Sequence, residues 1–221
     1  MCGRLEFNES ITLSDFFERH QFPLFPYSNN IAPTEAVPVI IYTTQLELRP
    51  MRWWLLPSWV SEPSTKFSMF NARSDSITTS KAFRVPFQRR RCVVPVSGFY
   101  EWQREEKTKT PYLVKTIDSP MLLGGIWDIW ERNGAHIESF AIITTDASDE
   151  MAWLHNRQPV FIPESRMDHW LNPKTPIHEL GDLLLPNLPY SLEAIPVSNK
   201  VGNSRYKSLI DVVGEPILMS P

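Results

Sequence analysis

Cysteine at the second position carries the most reactive chemistry in the chain. Methionine aminopeptidases tolerate small second residues, and removal of Met1 would leave an α-amino group beside the Cys2 thiol. An α-amine has an ordinary pKa of about 7.7–8.0, far below that of lysine, so an appreciable fraction is neutral and nucleophilic at physiological pH. It can attack an aldehyde to give an iminium ion. The neighbouring thiolate can then close a thiazolidine ring, favoured by its intramolecular placement. Position alone leaves the other reading open, in which Cys2 is a chance residue of a loose terminus.

Other residues could serve that chemistry. Glu101 stands between Tyr100 and Trp102 in a strand-like segment, where a carboxyl partly shielded by aromatics suits proton exchange. Its alternative is a sheet-edge salt bridge. His155 carries an imidazole suited to shuttling a proton or to bonding a sugar or phosphate. The remaining histidines, His20, His136, His169 and His178, read as surface or packing residues. With only Cys2 and Cys92 and no Cys/His cluster, neither a metal site nor a disulfide framework is expected, and no cofactor is implied.

The elements that must position these groups are mostly strands. Val37 to Tyr42, Leu46 to Trp54, Cys92 to Val96, Phe99 to Gln103 and Pro111 to Ile117 carry the β pattern. Leu122 to Trp130 and Ile137 to Thr144 flank Asn133-Gly134, a pair suited to the positive φ angles of a two-residue hairpin turn. Apolar residues at helical spacing predict a helix over Thr12 to His20 that covers a sheet. Ser148 can cap a short helix through Leu154, and Pro163 to Leu171 reads as another, ended by Asn172-Pro173. Twenty Pro against eight Gly favour short strands and rigid turns. Without repeats or strand-helix alternation, the expected fold is α+β, a single domain over residues 1–221 with a curved mixed β-sheet or partial barrel and peripheral short helices.

Size and charge bound the partners. A chain of 221 residues, 42% hydrophobic with eight Trp, can bury a sizeable core. It has no apolar leader and no run near the about 18 residues needed to span a bilayer, which predicts a cytoplasmic protein without a membrane partner. The net charge of -3 conceals segregation: Lys66, Arg73, Lys81, Arg84, Arg89, Arg90 and Arg91 are accompanied in their stretch only by Asp75. Such a stretch is either a phosphate-binding surface or a solvated face.

Short motifs add a second kind of signal. They are Cys2-Gly3-Arg4, Asn30-Ile31-Ala32-Pro33-Thr34, Arg52-Trp53 with Pro57-Ser58-Trp59, Asn71-Ala72-Arg73, and Arg91-Cys92-Val93-Val94-Pro95. Gly98-Phe99-Tyr100-Glu101-Trp102, His155-Asn156-Arg157-Gln158-Pro159 and Val201-Gly202-Asn203 complete the set. In order and spacing it resembles the SOS response-associated peptidase family, the abasic-site processing proteins, nearly from end to end. The resemblance implies that Cys2 crosslinks to abasic sites in single-stranded DNA and that Asn30 bonds near the reacting amine, although Asn30 also suits a turn. It implies acid/base work for Glu101 and a supporting role for His155, with a self-peptidase and an abasic-site lyase as side activities.

DNA contacts are expected from Arg4, Asn71, Arg73 and Arg157, extended by Lys81 and Arg84, because guanidinium groups pair well with phosphate. Trp59 matches the family position where an aromatic side chain meets the bases, and core packing is its alternative. The chain departs from the family pattern at Trp54, Val60, Asp75 and Gln158, which bears on the DNA wedge and leaves Cys2, Asn30, Glu101 and His155 untouched. Two other functions fit parts of the sequence: an amide-cleaving N-terminal-nucleophile enzyme of the glutamine amidotransferase kind, and a noncatalytic single-strand binding module. The chain ends soon after Asn203, so a compact bacterial-type monomer, nucleoid-associated when bound to DNA, is expected.

Overall fold

The computed structural model describes residues 3–104 and 108–221, so Cys2 lies outside the described residues. The strands run in chain order as β1 (Arg4–Phe7), β2 (Ser28–Ile31), β3 (Ala36–Tyr42), β4 (Leu46–Trp53), β5 (Asn71–Arg73), β6 (Arg91–Val96) and β7 (Gly98–Arg104). They continue as β8 (Lys109–Thr116), β9 (Met121–Arg132), β10 (Ala135–Asp146), β11 (Arg157–Pro159), β12 (Leu192–Pro196) and β13 (Ile217–Met219). The α-helices are α1 (Ile11–Arg19), α2 (Arg84–Arg89) and α3 (Met167–Leu171). The fold is α+β with a barrel-like sheet, as expected.

The barrel comes from β10, β4, β3, β6 and β9, which pair in that order and close because β9 also pairs β10. One junction is parallel, β10 with β4, and the rest are antiparallel. β6 is buried along its whole length and β9 along nearly all of it, as strands covered on both faces must be. The β9–β10 hairpin turns on Asn133 and Gly134, at φ 52° and 79°, the left-handed pair that an Asn-Gly turn supplies at least cost.

A second sheet, ordered β13, β12, β8, β7, β1 and β2, packs beside the barrel. The chain crosses from one to the other at Ser97, whose N–H donates to the Glu6 carbonyl at 3.0 Å. Gly98 follows because a Cβ there would lie 2.8 Å from the Val114 carbonyl oxygen. α1 starts one residue before its expected span and buries Leu13, Phe16 and Phe17, with Phe17 5.8 Å from Phe7 of β1. Each such burial is worth about 1.5–3 kcal/mol, which fixes the helix over the sheet.

One expected helix is absent. Ser148 to Leu154 forms hydrogen-bonded turns, because the Ala147 N–H must reach the Asn156 carbonyl at 3.1 Å to return the chain to β11. The Ser148 N–H is taken by the buried Gln158 side chain at 2.7 Å and the Ala152 N–H reaches the Ser148 carbonyl at 2.9 Å, so the segment makes helical turns that do not join into a helix. Pro163 to Leu171 splits into a 3₁₀ turn, Glu164–Arg166, followed by α3.

Candidate active site

The first strand is placed by register. β1 runs antiparallel to β7 with Arg4 opposite Tyr100, Leu5 opposite Phe99 and Glu6 opposite Gly98. Stepping back along β1 from Arg4 therefore means stepping forward along β7 to Glu101. On its other side β1 pairs β2 with Leu5 opposite Ile31, and a bulge separates this pair from the next. The Tyr100 hydroxyl ties the three strands by donating to the Asn29 carbonyl at 2.7 Å, and burial raises its pKa far above the ordinary value. Glu6 is buried in the same sheet against Lys115 at 3.0 Å.

Asn30 is fully buried and is not a turn residue. Its amide nitrogen donates to the carbonyls of Val201, Asn203 and Tyr206 at 3.2, 3.0 and 3.0 Å, which explains why Val201-Gly202-Asn203 accompanies it in sequence. Its Oδ1, equally buried, has no hydrogen-bond partner among the described residues. Arg4 reaches the same segment, donating to the Gly202 carbonyl at 3.1 Å, and burial lowers its pKa against an opposing pull from Glu35.

Two residues here had no sequence signal. Lys207 donates to the Asn30 backbone carbonyl at 2.6 Å and to both Glu35 oxygens at 2.7 Å, and Glu35 accepts the Ala32 N–H at 3.1 Å. Thr34, in the turn between them, holds φ at 83°, a left-handed strain for a β-branched residue that its N–H bond to the Trp53 carbonyl at 2.8 Å helps sustain.

Glu101 is 4% exposed, and its Oε1 accepts the Trp102 N–H at 3.1 Å. β7 lies between β8 and β1, so Glu101 does not stand on an edge strand. His155 is half-buried, and its Nδ1 accepts the Arg157 N–H at 3.0 Å, which in the neutral ring leaves the proton on Nε2 as a donor. With Trp102, Trp153 and Asn156 it lines a cavity of about 390 Å³ beside β7.

The end of β10 gathers the remaining motifs. β5 lies along it in parallel, with Asn71 opposite Ile142 and Arg73 opposite Thr144, and β11 places Arg157 opposite Asp146. Arg157, expected to contact phosphate, is 6% exposed and bonded to the Thr144 carbonyl and hydroxyl at 2.5 and 3.0 Å and to Asp146 at 3.2 Å. Burial lowers its pKa, and the nearby Arg73 adds to the effect. Arg73 is exposed and grips Asp75, whose carboxyl it holds down to about 2. Asn71 is buried.

The basic stretch divides. Arg91 lies inside, donating to the carbonyls of Trp170, Phe87, Gln88, Asn172 and Thr175, and Arg90 pairs with Asp128 at 2.9 Å. Lys81 and Arg84 remain exposed. Trp59 is 50% exposed, outside the core, with the Lys81 ammonium 4.3 Å from its ring centre. Of the departures, Trp54 packs on Phe70 at 5.4 Å and Gln158 is buried. Among the described residues no His, Cys, Asp and Glu cluster could hold a metal, and no helix is long and apolar enough to cross a membrane.

A model of the SOS response associated peptidase (SRAP) family matches residues 1–204. The chain belongs to this family. Among its relatives, abasic site processing protein YoaM of Bacillus subtilis is 35% identical over 94% of this chain and 96% of that protein. Abasic site processing protein HMCES of Xenopus tropicalis is 31% identical over 80% of this chain and 63% of that protein. A solved protein of Bacteroides thetaiotaomicron shares the SRAP fold with a TM-score of 0.76 at 25% identity, covering 89% of this chain and 93% of that one. A solved phage-related protein of Bordetella bronchiseptica reaches 0.72 at 26% identity, covering 93% and 99%.

Proposed function

We propose that this SRAP protein captures abasic sites in single-stranded DNA as a covalent adduct on Cys2, after loss of Met1. The observation that carries the reading is the β1 register: with Arg4 opposite Tyr100, Gly3, the residue after Cys2, comes level with the buried Glu101. Asn30, on the strand flanking β1, offers a buried Oδ1 without a partner among the described residues, and such an acceptor fits an incoming N–H such as the α-amine.

In the first step Glu101 gives a proton to the ring oxygen O4′ and takes up the proton of the C1′ hydroxyl as the ring opens to the aldehyde, so it ends as it began. The neutral α-amine adds to C1′, and the carbinolamine hydroxyl, protonated by Glu101, leaves as water to give an iminium ion, Glu101 regaining its proton as the thiol becomes thiolate. The thiolate then adds to the same carbon, which closes the thiazolidine and neutralises the nitrogen. His155, with its Nε2–H, donates a hydrogen bond to the sugar or an adjacent phosphate. Exposed Arg73, Lys81 and Arg84 supply positive charge for the strand, and Trp59 offers a face on which an unpaired base stacks.

The iminium has a second exit, since loss of the 3′ phosphate by β-elimination cleaves the strand before the thiol closes the ring. A self-cleavage that removes Met1 would draw on the same terminal residues. The test incubates protein lacking Met1 with a single strand bearing one abasic site and resolves the products on a denaturing gel. A denaturation-resistant complex is expected, and Cys2→Ala, which keeps the amine and loses the thiol, should shift product toward strand cleavage. Absence of any complex with the unsubstituted protein overturns the reading.

A further inference from the structure

Trp59 sits on an irregular segment, yet its main chain is held as firmly as a strand. The Ser58 N–H donates to Asp128 Oδ2 at 2.9 Å, and the Val60 carbonyl accepts from both Trp130 Nε1 at 3.0 Å and Arg132 Nε at 2.9 Å. The Trp59 carbonyl accepts from Arg132 Nη2 at 3.5 Å, and the Val60 N–H closes the turn onto Pro57 at 3.1 Å. Asp128, Trp130 and Arg132 are alternate residues of β9, so their side chains leave the strand on one face.

Asp128 is only 3% exposed and both its oxygens are engaged, since its Oδ1 also accepts from Arg90 Nη1 and the Ile129 N–H, both at 2.9 Å. A buried carboxylate is costly unless bonded in this way, and here it is used to grip a loop. We propose that Asp128, Trp130 and Arg132 form a cradle of positioning residues that presents Trp59 as a preformed stacking platform. The proposal rests on the stacking role given to Trp59 above. Lys81 completes the arrangement by lying against the ring, where its ammonium can also approach a phosphate.

The physical gain is preorganisation. A tryptophan on a loose loop must be ordered when a base arrives, and that ordering is subtracted from the stacking it provides. Releasing the cradle should weaken binding while leaving the capture chemistry intact. The expected signature is more DNA needed for half-maximal adduct formation, with an unchanged rate at saturation.

The test measures affinity for a fluorescein-labelled oligothymidylate without an abasic site, alongside the melting temperature of each variant. Trp59→Ala should weaken binding by about fivefold or more, from the usual strength of base stacking. Asp128→Asn, which places an amide NH₂ against the Ser58 N–H or against Arg90, should weaken it by about two- to fivefold, a part of that loss. This variant removes a negative charge, so charge alone would tighten binding, and the expected sign is the opposite. Trp130→Phe, which loses one N–H and keeps most of the ring, should act in the same direction. Neither should cost further affinity when Trp59 is already Ala, because both act through it. Equal losses in that background, or none in either background while Trp59→Ala is weakened, overturn the cradle. No loss from Trp59→Ala overturns the stacking reading itself.

Discussion

Arg73 is the exposed guanidinium of the Asn71-Ala72-Arg73 motif, and its present partner is an acid. Nε lies 3.1 Å from Asp75 Oδ2 and Nη2 2.5 Å from the same atom, so the fork that would grip a phosphate already grips a carboxylate. Bound DNA must then compete with Asp75, and Asp75→Asn should release Arg73. Each phosphate newly neutralised on a single strand steepens the salt dependence of log affinity by about 0.7. Raising salt fourfold, from about 50 to 200 mM, should therefore cost the variant about 2.6-fold more affinity than it costs the parent.

At low salt the variant should bind up to about fivefold more tightly, the upper range for an exposed ion pair. Protonation cannot substitute for the mutation. Asp75 is depressed below the ordinary carboxylate value, so its pairing is fully present above that value and is lost only as pH falls toward about 2. The parent should thus show no tightening from this source between pH 8 and pH 5. Fluorescence anisotropy with a labelled single strand across a salt series is the assay. Weaker binding by Asp75→Asn, with an unchanged slope, would mean that Asp75 orients Arg73 and does not compete for it.

Arg91→Met should lower stability by about 3 kcal/mol or more, because buried carbonyls around Trp170 and Asn172 lose a charged donor, and urea unfolding measures it. The corresponding melting shift for a chain of this size is about 6–12 °C, while the salt slope of DNA binding should not move. Asn30→Asp keeps an acceptor at Oδ1 but turns an oxygen toward the carbonyls of Val201, Asn203 and Tyr206. It should loosen that segment, seen as faster amide hydrogen exchange there, and reduce adduct yield. Gly134→Val should cost about 1–2 kcal/mol in thermal unfolding, since φ at that position is 79° and a β-branched residue resists it.

What could be read in advance follows from the range of the forces involved. The β9–β10 hairpin was legible because two adjacent residues, Asn133 and Gly134, prefer the backbone angles the turn requires. β6 was legible because Cys92 to Val96 is apolar enough to be buried on both faces. β1 was not, since Arg4 and Glu6 interrupt it and Glu6 is tolerated only because Lys115 and the Ser97 hydroxyl meet it from elsewhere. β5 is three residues long and exists through its parallel pairing with β10. The linear run of cations was the least informative feature, because the partners that divide it stand far along the chain: Asp128 for Arg90, and the carbonyls after Trp170 for Arg91.

The candidate site carries the same lesson further. Glu101, His155 and Asn30 could be named because they sit in recognisable motifs, but Lys207 and Glu35 are 172 positions apart and only the fold brings them together. Their ion pair is exposed and on its own worth little. Its effect is geometric, since Lys207 also holds the Asn30 carbonyl and Glu35 also holds the Ala32 N–H, so the pair fastens the end of β2 to the segment that roofs it. Asn30 makes the same connection from inside, through three carbonyls. β1 therefore lies in a slot whose two walls, β2 and β7, are set by register, and the segment over β2 is clamped from both sides. On the proposed function, this frame is what would let a terminal amine, ordinarily the most mobile group in a protein, do positioned chemistry.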